Sequence, residues 1–172
     1  KRNEDGSISR VLPNLESSAD IYNSFLKLGF DGINPMGKGR AEMMYQGKYW
    51  RIIRKALQKT FPFMPALRYN YPKVMKHFYS PEDSWDNVFP ALFPQWDRTP
   101  RAGKHEGIYV NATPQNFEHH IDDALQLIKN KPQEHKLLFL RSWNEWGEGN
   151  YVEPDTKYGH GFLDAIKKKI MK

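Results

Sequence analysis

The most regular pattern of hydrophobic and polar positions lies between residues 114 and 128. Thr113 precedes this segment as a helix-capping residue, and Pro114 occupies the first helical position, where its missing N–H is tolerated. Apolar residues recur every three or four positions, at Phe117, Ile121, Leu125 and Ile128. The spacing predicts a helix that buries this stripe. Similar spacing predicts three further helices, over about 18–28, 47–59 and 161–171.

Four apolar segments have the composition of strands. They span residues 29–34, 63–67, 88–93 and 137–140. The third contains Pro90, which can donate no ladder hydrogen bond, so a bulge is expected there. The pattern also predicts a brief helix over 74–78 and a long loop over 94–111. The chain is therefore predicted to contain four strands, each followed by a helix.

This alternation favours an α/β fold and, specifically, half of a (β/α)8 TIM-type barrel. A complete barrel needs roughly 250 residues, and four βα units are half of its repeats. We therefore expect residues 1–172 to be the C-terminal half of a single barrel domain, with the N-terminal half of the same protein as its partner. The absence of an initiating Met fits a chain that begins inside a longer protein. A doubly wound sheet is the alternative, but no Gly-rich phosphate fingerprint follows any predicted strand.

Composition narrows the classes of function. The formal net charge is +6, but the basic residues are dispersed except for Lys167–Lys169 near the end, where a solvated helix face is expected. Nucleic acid is therefore not the predicted partner. No apolar run approaches the roughly 20 residues that span a bilayer, so no membrane span is expected. Cysteine is absent, which excludes disulfides and favours a reducing compartment, so a cytoplasmic location is expected.

The strongest candidate site directly follows the last predicted strand. Glu145 and Glu148 lie three residues apart, and Trp143 and Trp146 stand between and beside them. Cleavage of a glycosidic bond uses two carboxyl groups, and tryptophan supplies an apolar wall for a sugar ring. A surface turn with two solvated glutamates is the competing interpretation. The clustering of these residue types after a buried strand favours a catalytic pair.

Further candidates for substrate binding also follow predicted strands, where the active sites of α/β folds lie. In the loop after the third strand, Arg98 and Arg101 are suited to an anionic or polyhydroxylated ligand. The other candidates are Trp96, Asp97, Trp143, Asn144, Trp146, Tyr151, Asn70 and Tyr71. For Asn70 and Tyr71 an ordinary turn explains the sequence equally well.

A metal site is not predicted. His119–His120 and Asp122–Asp123 lie on the helix after Thr113, but their spacing lacks the His-Glu-x-x-His pattern. A solvated helical face is the expected role of these four residues. No cofactor is expected either.

The string from Ser142 to Asp155, with its core Trp-Asn-Glu-Trp-Gly-Glu-Gly, resembles the signature of the WbsX-type family of polysaccharide-biosynthesis proteins. Segments 29–32, 87–101 and 111–114 resemble the same family in order and spacing. That family is itself similar to the endo-α-mannosidases of glycoside hydrolase family 99.

The resemblance implies a (β/α)8 barrel and a metal-independent mechanism. In the mannosidases that this motif resembles, the first glutamate, here Glu145, acts as a base on the sugar's 2-hydroxyl. That hydroxyl displaces the leaving group through an anhydro-sugar intermediate. The second glutamate, here Glu148, acts first as acid and then as base. Gly147 departs from the mannosidases, which commonly have a bulkier polar residue there, so the resemblance does not extend to the substrate's identity.

The leading prediction is a retaining, endo-α-mannosidase-like glycoside hydrolase that acts on an oligo- or polysaccharide. One alternative is a WbsX-type glycosyltransferase of lipopolysaccharide, O-antigen or capsular polysaccharide biosynthesis. Another is a carbohydrate-binding domain without catalytic activity.

Overall fold

The computed structural model describes residues 17–61, 63–105 and 107–171. Its sheets are short strand pairs, most of them parallel, which lie among helices. The strands are β1 (Leu67–Asn70), β2 (Ala91–Leu92), β3 (Gly107–Val110), β4 (Phe139–Leu140), β5 (Asn144–Glu145) and β6 (Asn150–Tyr151). The helices are α1 (Ser18–Lys27), α2 (Lys38–Gln46), α3 (Lys48–Thr60), α4 (Tyr71–Val74), α5 (Thr99–Ala102), α6 (Pro114–Ile128) and α7 (Gly161–Ile170). Single 3₁₀ turns include Met75–His77, Gly103–His105 and Trp146–Glu148.

The strands pair across long sequence separations. β1 lies parallel to β3, and β2 lies parallel to β4, with Ala91 opposite Phe139. Just before β2, Ile33 and Val88 form an isolated parallel bridge. β5 and β6 form an antiparallel hairpin. The prediction of a mixed α/β chain with parallel pairing is thus confirmed.

The strand boundaries differ from those predicted. The segment 94–111 is not a continuous loop, because it contains β3. Gly107 is the first residue of that strand. The Tyr69 ring occupies the space of a side chain at this position, because a Cβ added there would lie only 2.2 Å from the ring. β1 correspondingly begins at Leu67 and includes Tyr69, whose ring is buried against Tyr109. The two tyrosines, rather than a run of aliphatic residues, hold this strand pair together.

The brief helix predicted over 74–78 begins earlier, as α4. The Asn70 side chain caps it by accepting a hydrogen bond from the Lys73 N–H, and Pro72 occupies its first turn. A 3₁₀ turn continues it to His77. Asn70 therefore has a structural role that the strand pattern alone did not reveal.

Helices α6 and α7 agree with the sequence prediction. The Thr113 side chain caps α6 by accepting a hydrogen bond from the Asn116 N–H. Phe117 and Ile121 are fully buried in a cluster that also contains Phe162 of α7. On the outer side of this contact, Lys168 pairs with Glu118 and Lys169 with Asp122, both at 2.6 Å. The lysine cluster of α7 is therefore partly engaged by α6.

His120 corrects the prediction of a solvated face on α6. Its side chain is buried, stacks on the Tyr79 ring and lies 3.1 Å from the Tyr79 hydroxyl. Burial lowers the pKa of His120 to about 3, so the imidazole is neutral at pH 7. Phe117 and Ile121 lie on either side of His120 on the helix surface and face the core. His120 therefore faces the core with them.

A second core cluster is rich in aromatic residues, which are six of its ten buried members. Tyr71, Phe78 and Phe93 are its centre, and the Tyr71 hydroxyl donates to the Phe93 carbonyl at 2.6 Å. Trp96 stacks on Phe93 at the edge of the cluster. This packing fixes the chain just after β2, where the candidate site begins. No helix within the described ranges is long and apolar enough to cross a membrane.

Candidate functional site

The loop that carries the two glutamates is held against the segment after β2. The Asp97 N–H donates to the Glu148 carbonyl at 2.9 Å. The next residue, Gly149, has φ of +54°, and a Cβ there would lie 2.7 Å from the Asp97 nitrogen. Both the left-handed backbone and the close approach require glycine. The Glu-Gly pair of the motif therefore positions Glu148 beside the chain that carries Asp97.

Side-chain hydrogen bonds fix the rest of the loop. The Ser142 hydroxyl donates to the Asn150 carbonyl at 2.8 Å and accepts from the Glu145 N–H at 3.0 Å. The buried Asn150 amide donates to the Gln95 carbonyl, and the Gln95 amide donates to the Tyr151 carbonyl. These bonds join β6 to the segment after β2 and tie Ser142 to both strands of the hairpin. The glutamates are thus presented by a braced loop.

Three arginines surround Glu148, which is buried. Arg98 Nε and Arg101 Nη1 lie 3.1 and 3.7 Å from its Oε1, while Arg141 Nη2 lies 3.7 Å from its Oε2. Arg101 Nη1 also lies 3.7 Å from Oε1 of Glu145, whose side chain is 44% exposed. One guanidinium group therefore stands between the two carboxylates, which face a common space.

An aromatic cleft of about 480 Å³ adjoins this cluster. The Trp146 and Tyr151 rings stack at 3.7 Å on its wall, and the Trp146 indole N–H donates to Glu153 at 2.7 Å. Other lining residues include Trp96, Asp97, Pro100, Tyr109, Gly149 and Lys157. Stacked, partly exposed aromatic faces suit the apolar C–H face of a sugar ring.

Most of the predicted site residues lie together. Around the carboxylates are Glu145, Glu148, Arg98 and Arg101, and on the cleft wall are Trp96, Asp97, Trp146 and Tyr151. Asp97 accepts from the Thr99 N–H and hydroxyl, which fixes the start of α5. Trp143 and Asn144 are exposed beside this cleft and do not line it. Tyr71 lies in the core and Asn70 caps α4, so these two are not brought to the cluster.

Five residues that were not predicted as site residues also belong to this region: Arg141, Ser142, Gln95, Asn150 and Lys157. Arg141 directly follows β4 and precedes the motif, so its position at a strand end was a usable signal. Ser142 and Asn150 lie within the motif itself. Gln95 and Lys157 are brought to this region by the tertiary fold, and no local pattern marks them.

A metal centre is not built by these side chains. Across residues 17–61, 63–105 and 107–171, no three histidine or carboxylate side chains converge as metal ligands. The polar groups of the site are instead carboxylates paired with guanidinium groups. This arrangement is suited to proton transfer and to binding polar or charged ligands.

Two carboxylates beside stacked aromatic rings, just after the carboxyl ends of two parallel strands, form the kind of site that suits a carbohydrate ligand. Comparison with known proteins identifies the family. The family model described as "Glycosyltransferase WbsX" matches residues 12–166, and the chain therefore belongs to this family. The match includes the glutamate motif and the arginine segment after β2.

The chain is also similar to the protein WxcX of Xanthomonas campestris pv. campestris, described as uncharacterized, in strains B100 and ATCC 33913. The identity is 33% over 84 residues, which is 48% of this chain and 12% of WxcX. The aligned part thus spans about an eighth of the length of these relatives. No solved structure matches the chain.

Proposed function

We propose that the protein acts on glycosidic bonds with Glu145 and Glu148 as its catalytic pair. The observation that carries this proposal is the position of Arg101, whose Nη1 lies 3.7 Å from a carboxylate oxygen of each glutamate. Those two oxygens are therefore separated by no more than twice that distance. The bound admits the separation of about 5–5.5 Å found in retaining enzymes with a carboxylate nucleophile and only the lower part of the inverting range, about 6.5–9.5 Å, whereas a mechanism through the sugar's 2-hydroxyl is tied to neither figure.

The favoured reaction is retaining hydrolysis of the endo-α-mannosidase type. Glu145, the more exposed carboxylate, would take the proton of the sugar's 2-hydroxyl, and Glu148 would donate a proton to the leaving oxygen. The two side chains are 44% and 11% exposed. These roles follow the order of the two glutamates in the motif, in which the first is the base and the second the acid. The Trp146–Tyr151 stack would hold the adjoining sugar unit.

The barrel interpretation belongs to the same proposal. β2 and β4 are parallel, and the site lies just after their carboxyl ends, as in barrel enzymes. Further strands from the same protein would complete the domain and close the substrate cleft. The substrate would then be an oligo- or polysaccharide bound across both halves.

Glycosyl transfer is the second candidate, and the family description favours it. In that reaction Glu145 or Glu148 would deprotonate the acceptor hydroxyl instead of acting on water or on the donor's own 2-hydroxyl. A sugar nucleotide would bind near Arg98 and Arg101. The paired carboxylates serve either reaction, so the assay must offer both kinds of substrate.

Isosteric variants test the catalytic pair. Glu145→Gln and Glu148→Gln are each expected to lower turnover by about 10²–10⁴-fold, because a positioned proton donor or acceptor contributes that much. The assay offers manno-oligosaccharides alone, for hydrolysis, and sugar nucleotides with an oligosaccharide acceptor, for transfer. Glu134→Gln, at an exposed position away from the site, is the matched control.

Each outcome has a distinct meaning. Full turnover in either site variant contradicts the assignment of that glutamate. If sugar nucleotides are consumed and manno-oligosaccharides are left intact, the reaction is glycosyl transfer and not hydrolysis. Oligosaccharide binding that both variants retain, without turnover by the full-length native protein on either kind of substrate, supports a non-catalytic carbohydrate-binding domain.

A further inference from the structure

We propose that helix α3 and the turn after it bind the surface of an anionic membrane, with the apolar side of the helix inserted at the level of the lipid headgroups. This surface is a different part of the molecule from the glutamate site, so the proposal does not depend on the catalytic assignment. Its basis is the group of apolar side chains that this segment exposes and the charge of the chain around them.

Large apolar side chains are exposed in a dense group on α3. Tyr49 and Trp50 lie four and three residues before Ile53, so these exposed side chains share one side of the helix. Beyond the helix, the rings of Phe61 and Phe63 contact each other edge to face. The exposed group comprises Tyr49, Trp50, Ile52, Ile53, Phe61 and Phe63. Such a concentration of exposed apolar residues marks an interaction surface.

The polar side of α3 faces the rest of the protein. Arg54 and Gln58, one turn apart, donate hydrogen bonds to the Pro65 and Lys104 carbonyls. Because its polar side is held in this way, the helix directs its apolar side outward, as a helix in a membrane interface does. At 13 residues α3 is about 20 Å long, too short for a hydrocarbon core of about 30 Å, so it would lie parallel to the membrane surface.

The chain around α3 is strongly basic, although the basic residues form no dense run. Residues 38–81 contain ten Lys or Arg and one Asp or Glu, whereas the rest of the chain contains 16 and 19. The acidic residue, Glu42, is paired with Lys38 at 2.7 Å. Asp83 and Asp123 approach the segment near its C-terminal end. Counting both against it still leaves a large positive excess, and basic groups close to an anionic lipid surface strengthen binding.

Charge and composition together favour lipid as the partner of this surface. A second copy of the chain would bring two basic segments together, and like charges across an interface repel. Nucleic acid is anionic, but interfaces with it are polar and offer little to exposed Ile52 and Ile53. An anionic membrane offers an apolar layer beneath a negative surface. Tryptophan and tyrosine, here Trp50 and Tyr49, are the residues typical of that boundary.

Helix α7 provides a contrast to α3 within the same chain. It also combines lysines with an exposed apolar side chain, Ile170. Lys168 and Lys169, however, pair with Glu118 and Asp122 of α6, so part of the charge of α7 is neutralised within the fold. Ile170 is therefore a matched control position for α3.

Flotation of the full-length protein with lipid vesicles tests the proposal. One set of vesicles is an equal mixture of phosphatidylglycerol and phosphatidylcholine, and the other is phosphatidylcholine alone. The protein is expected to partition at least about tenfold more strongly onto the anionic vesicles. High salt should weaken this binding, because it screens the attraction between basic residues and the lipid surface.

Variants of α3 locate the binding surface. The double variant Trp50→Gln/Ile53→Gln should weaken partition onto the anionic vesicles by about tenfold or more, because two apolar side chains no longer enter the interface. Trp50→Phe, which keeps an aromatic ring, should retain most of the binding. Ile170→Gln is the control and should bind within about twofold of the native protein. Circular dichroism checks that each variant is folded.

Three results would overturn the proposal. The first is no partition onto the anionic vesicles, which would mean that another partner covers α3, whether the rest of the protein, a second copy or nucleic acid. The second is equal partition onto the two kinds of vesicle, which would remove the role of charge. The third is undiminished binding by the folded double variant, which would place the membrane contact on another surface.

Discussion

Helices α6 and α3 have similar amphipathic sequences, but they face the molecule in opposite ways. On α6 the apolar stripe turns inward, and Phe117 and Ile121 are fully buried. On α3 the apolar side turns outward, with Ile52 59% and Trp50 54% exposed. Among the side chains of α3 that the structure describes, the buried one is polar: Gln58 is only 6% exposed.

The difference shows that an apolar stripe predicts a helix better than it predicts which side is buried. Helix α6 has apolar partners, because β2 and α7 offer Leu92 and Phe162 to its stripe. Helix α3 is instead held by polar contacts. Arg54 donates to the Pro65 carbonyl at 2.8 Å, and Gln58 donates to the Lys104 carbonyl at 3.2 Å. The described residues place no apolar surface opposite the stripe of α3.

Core truncation gives the largest expected contrast. Ile121→Ala in α6 should lower the free energy of unfolding by about 2–5 kcal/mol, because it leaves a cavity among fully buried side chains. Ile52→Ala in α3 should change it by no more than about 0.5 kcal/mol. Urea denaturation measures both. A loss at Ile52 as large as that at Ile121 would show that the outer side of α3 is covered in solution.

The buried histidine of α6 supplies the next effect. Because the pKa of His120 falls from 6.5 to about 3 on folding, the unfolded chain binds more protons between these values. Stability is therefore complete above pH 6.5 and is lost as pH falls toward 3, at about 1.4 kcal/mol per pH unit. Between pH 7.5 and 4.5 the native chain should lose about 2–3 kcal/mol through this group.

His120→Phe removes that contribution. Its free energy of unfolding, measured by urea denaturation at the two pH values, should fall about 2–3 kcal/mol less than that of the native chain. His119→Phe, at the exposed neighbouring position, is the control and should keep the native pH dependence. Identical pH dependence in His120→Phe and the native chain would show that His120 is accessible to protons in the folded state.

Helix capping gives a smaller effect on the same helix. The Thr113 hydroxyl accepts a hydrogen bond from the Asn116 N–H, whereas α3 begins at Gly47 without a side-chain cap. Thr113→Ala should cost about 1 kcal/mol, and Thr113→Ser, which keeps the hydroxyl, should cost less. Thermal or urea unfolding measures both. An equal loss in the two variants would assign the effect to the threonine methyl group instead of the cap.

The same contrast explains how much of the molecule the sequence could predict. Local signals sufficed for α6, where the Thr113 cap, the apolar spacing and burial agree, and for α7, where spacing and burial agree. They also placed Glu145 and Glu148 on one loop. The pairing of Gln95 with Asn150 depends on β2 lying beside β4, across more than 40 residues, and no local pattern contains that register.

The smallest effect tests the inward side of α3 directly. Gln58→Ala removes a hydrogen bond from a buried amide to the Lys104 carbonyl and should cost about 0.5–1.5 kcal/mol. Ile53→Ala, on the outward side at 48% exposure, is the matched variant and should be close to neutral. Urea denaturation of the pair decides the orientation. A neutral Gln58→Ala together with a costly Ile53→Ala would mean that α3 packs in solution through its apolar stripe, as α6 does, and that the contrast between the two helices does not hold.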